Sequence, residues 1–232
     1  FITGSVYEVL FRALAKEHDN LDTSRYLFFR SLTLVAVYAL PFYIGFLWLA
    51  EPLVVMLFGH RWADSAAPLM VLSLAAPLMM IENLSGAVLA ARNWLGRELV
   101  AQVIMIVMVA AGVWLGRPYG MTGIAAGLVV ALLYMATHMF WLAKQALDAR
   151  WADLAGAFTP AVILNVILVA VLWIAEQFVP ASIRSTGPLY VLFMASVGGI
   201  LYAACFLYLP IPVLARETTR WKIKLKLAKA PT

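Results

Sequence analysis

A chain of 232 residues in which 64% are hydrophobic and only 12% carry a charge is not a soluble domain, since such domains hold about 25% charged residues. Mean hydropathy is +0.91, so bilayer spans rather than an aqueous core organise the chain. The net charge of +5 sorts by membrane side, as the loops show, and that sorting removes nucleic acid as its reason.

The opening stretch FITGSVYEVLFRALAK lacks a basic start and a small-residue cleavage site. It reads as the end of a helix already under way, and the chain is expected to be a fragment cut on its N-terminal side. Six apolar stretches follow, at 31–50, 66–91, 99–115, 120–143, 158–179 and 188–209. Each approaches the roughly 20 residues a spanning helix needs. Their continuity excludes barrel strands, which alternate. The predicted fold is all-α, a polytopic transmembrane helix bundle of six spans plus the end of a preceding helix.

The first span holds Pro41 and Gly45 in LPFYIGF, a place for a kink or a hinge. In the following loop Pro52 suits a helix start and Gly59 a stop, which predicts a short interfacial helix. The second span contains Pro68 and Pro77, so tilt or a kink is expected. It also holds Glu82 and Asn83. An acid at a helix centre costs about 2.5–3.5 kcal/mol on insertion scales and needs a partner or water. Ala75, Met79, Glu82, Gly86 and Ala90 recur at helical spacing on one side. Glu82 is therefore either a cavity-lining carboxylate that meets substrate or a coupling cation, or a structural acid bonded to Asn83, Ser85 or a neighbouring helix.

The fourth span opens with Gly120, Gly123, Gly127 and Ala131 on one face, followed by Tyr134 and His138. Small residues four apart let helices approach closely. In the fifth span Asn165 stands about two turns in and is a candidate for bonding between helices. Gln102 and Glu176 lie near span ends, where headgroups account for them. Cys205 in the sixth span is the only cysteine and reads as a small packing residue. Seven tryptophans fall near span ends, the interfacial position for the ring. The histidines, His18, His60 and His138, fall at three depths. No phosphate loop or nucleophile elbow is present. No metal, no cofactor and no enzyme activity are expected. The tail 216–232 is basic, and Arg220, Lys222, Lys224 and Lys226 are candidates for contact with anionic lipid. Its KIKLKLAK segment alternates with period two, which argues against an amphipathic helix.

Across the six spans, Arg61, Arg117 and Arg184 fall on one side, and the other fourteen of the 17 lysines and arginines on the opposite side. That asymmetry puts both ends of the chain in the cytoplasm.

Four stretches also carry a resemblance. YALPFYIGFLWLAEPLVVMLFGHRW has a proline-glycine helix, then Ala-Glu-Pro-Leu, then Gly-x-x-Trp. WADSAAPLMVLSLAAPL has a Trp-x-x-Ala-x-x-x-Leu helix entry. AVLAARN ends a helix as Leu-x-Ala-Arg, with Asn93 where glycine is usual, and YGMTGIAAGL opens a later span. In this order they resemble polysaccharide exporters of the multidrug/oligosaccharidyl-lipid/polysaccharide flippase superfamily, which serve O-antigen, lipopolysaccharide and exopolysaccharide biosynthesis. The resemblance implies two similar helical lobes around a central cavity. Residues 1–16 would end the second helix of the C-terminal lobe, residues 1–215 would form that lobe, and the N-terminal lobe would be missing from this chain. It adds Glu8 to the cavity candidates, although Arg12 stands where the family usually has proline. The implied activity is flipping of lipid-linked oligosaccharide across the bacterial inner membrane by alternating access. The implied partners are that substrate, the phospholipid membrane, the N-terminal lobe and other polysaccharide-assembly proteins. A cation-coupled drug exporter, a lipid II flippase and a membrane glycan polymerase or ligase remain the alternatives.

Overall fold

The computed structural model describes residues 2–17, 20–180, 183 and 187–226. His18, Arg184 and Lys229, used in the sequence reading, lie outside the described residues. The chain is an all-α, multi-pass membrane protein. By contact it divides into two units, residues 1–158 and 159–232, with one helix running from the first into the second.

The first unit begins with α1 (Ile2–Lys16) and α2 (Leu21–Trp48). The α2 helix starts ten residues before the apolar stretch that announces it. Asn20 caps it, because its Oδ1 accepts a hydrogen bond from the Thr23 N–H at 3.0 Å, and the polar residues after the cap form its first turns. Ser24 donates to the Glu17 carbonyl at 3.0 Å and ties this start to the end of α1. Pro41 sits within α2 without ending it. Then come α3 (Ala50–Phe58), which contains Pro52, and a 3₁₀ turn at His60–Ser65. Gly59 separates the two with φ 86°, a left-handed value that glycine adopts without a Cβ clash.

The second apolar stretch forms two helices, α4 (Ala66–Ser73) and α5 (Ala76–Ala91), and the helical segment His60–Ser73, which ends in α4, meets α5 at 49°. Pro77 accounts for the break. It has no N–H to give the Ser73 carbonyl four residues back. The N–H groups of Leu74 and Ala75 turn to the carbonyls of Val71 and Leu72 instead, at 3.2 and 3.0 Å.

Next are α6 (Leu95–Gly116) and α7 (Gly120–Leu147), joined by a turn at Arg117–Tyr119. The 53-residue apolar segment they make doubles back on itself. A Cβ on Gly112 would lie 2.8 Å from the Gly127 backbone, and one on Gly116 would run into the backbone of Gly123. The pairs 112/127 and 116/123 run in opposite senses, so the helices are antiparallel and touch backbone to backbone. In lipid, apolar burial brings little hydrophobic gain, and close packing over small residues takes its place. Gly120 departs from its expected role. It has φ 68° and open space around it, so it makes the turn, while Gly123 and Gly127 make the contact.

Leu89 of α5, Ala101 of α6 and Met135, Met139 and Leu142 of α7 form one buried cluster. Phe28 of α2 stacks on Phe140 of α7, ring centres 6.3 Å apart. Phe140 in turn meets Trp151 edge to face at 4.8 Å. Thr33 donates to the carbonyls of Phe29 and Ala157, both at 2.9 Å. This bond ties α2 to the start of α8 (Trp151–Phe178).

The second unit holds the rest of α8, α9 (Gly187–Tyr208) and α10 (Ala215–Lys224). Gly198 of α9 packs on Leu172 and Leu168, which a Cβ would meet at 3.1 and 3.3 Å. The Tyr190 hydroxyl donates to Glu176 at 3.3 Å, so a protein group as well as the span end accounts for Glu176. The tail differs from its sequence reading. Residues 222–224, the start of the alternating segment, continue the α10 helix, because ARETTRW precedes them and carries the helix into the alternation.

Candidate functional site

Gly86 on α5 has no side chain, and three helices fill the space this leaves. From the position a Cβ would occupy, Tyr7 Cε2 of α1 and Glu98 Oε1 of α6 are each 3.7 Å away, and Met139 Cε of α7 is 3.6 Å away. Glu82 stands one turn earlier on α5 and is half-buried. The Glu98 carboxylate acts electrostatically on both Glu82 and Tyr7. Gln102, one turn along α6, donates to Glu98 Oε1 at 3.3 Å. Ser85 is completely buried, and its hydroxyl has no hydrogen-bond partner among the described residues. The bundle thus gathers two carboxylates, a phenol and an amide from three helices.

Two neighbouring carboxylates repel each other when both are ionised, and a proton, a donor or a cation relieves that cost. Acceptors beside an aromatic ring also suit ligands rich in hydroxyl groups. Among the described residues no three His, Cys, Asp or Glu side chains gather as a metal site.

Of the residues singled out from sequence, Glu82 lies in this cluster. Asn83 is exposed beside it. Glu8 points elsewhere from its neighbour Tyr7 and pairs with Arg12 at 3.7 Å, with both side chains more than 70% exposed. Asn165 lies in the second unit, buried, and donates to Ala161 of its own helix at 2.8 Å. Its Oδ1 has no hydrogen-bond partner among the described residues. Gly45 opens onto empty space. His138 sits between the rings of Tyr134 and Trp141, 5.6 Å from each. In the tail Arg220, Lys224 and Lys226 are exposed, and the Lys222 ammonium lies 5.2 Å from the Tyr208 ring.

Sequence reasoning did not assemble Tyr7 and Glu98 with Glu82. Glu98 stands in RNWLGRE, which reads as a loop, yet α6 begins at Leu95 and makes Glu98 a first-turn residue. The available signal was Gly86, a small residue one turn from an acid, which marks a close approach by another helix.

Residues 1–67 match the family described as polysaccharide biosynthesis protein. The chain is also 25% identical over 159 residues to a Klebsiella pneumoniae protein named "Uncharacterized membrane protein in cps region". That match covers 68% of this chain and 33% of the relative, so the chain spans about a third of the relative's length. The family match includes α1 with Tyr7 and ends before Glu82 and Glu98.

Proposed function

We propose that the whole protein flips a lipid-linked oligosaccharide from the inner to the outer leaflet of the bacterial inner membrane, for export of surface polysaccharide. The observation that carries this reading is the gathering of Tyr7, Glu82 and Glu98 around Gly86, where α1, α5 and the first turn of α6 meet. An acid within a span, as Glu82 is, is expensive there and marks a pathway for polar cargo. The likeness of residues 1–67 to a polysaccharide biosynthesis family supplies the cargo class, and the motif order of 38–128 supports the same one.

In this reading the chain is one lobe, with both of its ends in the cytoplasm. A second lobe faces it across a cavity, and rocking of the two exposes the cavity to each side in turn. The glycine contact of α6 and α7 keeps the lobe stiff. Glu82, Glu98 and Tyr7 hold hydroxyl groups of the glycan or a coupling cation, while the lipid tail stays in the bilayer. The protein makes and breaks no covalent bond.

Deleting the full gene in its host tests this. Surface polysaccharide is lost and its lipid-linked intermediate accumulates on the cytoplasmic leaflet. Normal surface polysaccharide with new sensitivity to cationic drugs points to a drug exporter. Intermediates that reach the outer leaflet but stay unpolymerised point to a polymerase.

A further inference from the structure

The tetrapeptide Trp-Leu-Gly-Arg occurs twice, as Trp94–Arg97 and as Trp114–Arg117, 20 residues apart. The two copies bracket α6 (Leu95–Gly116). In both, the arginine folds back over the tryptophan ring three residues before it. The guanidinium carbon is 4.1 Å from the Trp94 ring centre in the first copy and 4.8 Å from that of Trp114 in the second.

At 1.5 Å per residue, 20 residues separate the two copies by about 30 Å along the helix. That is about the thickness of the hydrocarbon core of a bilayer. The helix between them turns one face to α7, where Ala101 and Gly116 are buried, and leaves most of the rest of its surface exposed. Ile106, midway between the copies, is 68% exposed, and Leu99, Val103 and Val107 are exposed above half. Trp114 and the paired leucines, Leu95 and Leu115, are exposed as well. Each copy therefore stands where a lipid-facing helix leaves the hydrocarbon, the depth at which tryptophan rings settle.

Helix stability does not explain Arg97, although Arg117 caps the C-terminal end of α6, where the dipole favours a cation. Arg97 is a cation in the first turn of α6, the end where the helix dipole favours an anion. Neither Arg97 nor Arg117 has a carboxylate or carbonyl partner for its side chain among the described residues. Stacking on a ring uses the face of a guanidinium and leaves its N–H edge free. That edge matches two oxygens of one phosphate. A phosphate group lies at this depth in every phospholipid.

We propose that the two Trp-Leu-Gly-Arg turns are a matched pair of phospholipid headgroup clamps, one for each leaflet, that together set the depth of α6 in the membrane. Each tryptophan anchors the level and holds the guanidinium flat. Each arginine binds the phosphate of an annular phospholipid. The pair does not depend on what cargo the protein moves.

The test is native mass spectrometry of the full-length protein, released from nanodiscs of phosphatidylethanolamine and phosphatidylglycerol that contain no polyprenyl lipid. Arg97→Gln and Arg117→Gln should each retain one phospholipid fewer than the unaltered protein, and the double variant two fewer. Trp94→Leu should match Arg97→Gln, and Arg150→Gln, whose arginine pairs with Asp153, should lose none. Unchanged retention in the double variant, or a loss at one end alone, overturns the proposal. So does retention that drops only when a polyprenyl-phosphate lipid is present, because the clamp would then serve cargo. Should the glutamine variants fail to accumulate, single spin labels along α6 decide. The ratio of oxygen to nickel-complex accessibility must peak at Ile106 and fall towards Leu99 and Val113. A peak displaced by a full turn or more contradicts the matched depth.

Discussion

The α6–α7 hairpin and the bent α4–α5 pair are neighbours in one unit, and both depend on glycine and proline, yet to opposite ends. In the hairpin Gly112, Gly116, Gly123 and Gly127 vanish into backbone contact. In the bent pair Pro77 releases a backbone bond, and Gly86 leaves space that Tyr7 and Glu98 reach into. Glycine brings backbone to backbone in the first case and admits a polar cluster in the second. The difference follows from what surrounds each glycine. A glycine facing another glycine closes a seam, whereas one beside an acid leaves room for side chains from other helices.

Substitution at the two kinds of glycine breaks or sharpens this contrast. Gly127→Val should cost the most, about 3 kcal/mol or more, because the new side chain meets backbone that cannot yield. Thermal unfolding in detergent, followed by loss of folded protein, measures it. Gly86→Ala adds a Cβ whose nearest neighbours are at 3.6–3.7 Å, an ordinary contact, and alanine favours a helix by about 0.8–1 kcal/mol over glycine. Stability should hold or rise while transport falls. Equal losses of stability at both positions would erase the distinction.

The carboxylates come next. Glu82→Gln and Glu98→Gln keep the side-chain volume and most hydrogen bonding. Each should leave stability within about 1 kcal/mol, yet lower transport about tenfold, a barrier change of about 1.4 kcal/mol. Unaltered transport in both variants assigns the acids to structure alone. A smaller effect is expected at the bend. Pro77→Ala restores an N–H for the Ser73 carbonyl, and the 49° angle should narrow, which spin-label distances between residues 70 and 90 report. The smallest effect belongs to Gly45→Ala. Nothing lies within 4 Å of the added Cβ, so it should be neutral or slightly stabilising.

The helices were legible because apolar runs of about 20 residues have one stable form in lipid. The break before Pro77 was legible for a similar reason, since a missing N–H acts locally. Helix ends were less so. The start of α2 hides in LDTSR, polar enough to pass for a loop until Asn20 is seen capping it. The helix of the tail hides behind KIKLKLAK, where side-chain alternation masks a helix already begun. The polar cluster was legible only through Glu82. Tyr7, Glu82 and Glu98 are distant in sequence, and tertiary packing alone brings them to one glycine. No local pattern in YEVLFRAL or RNWLGRE signals that Tyr7 and Glu98 will meet at Gly86 on α5.

The central claim, that these acids serve the movement of lipid-linked glycan, meets its most direct test in vesicles. The full-length protein is reconstituted with a fluorescent lipid-linked oligosaccharide in the inner leaflet only, and an added glycosidase cuts whatever reaches the outside. The account predicts progressive cleavage with the unaltered protein, and cleavage about tenfold slower with Glu82→Gln or Glu98→Gln. Cleavage no faster than in protein-free vesicles, with the protein folded and correctly inserted, would contradict it.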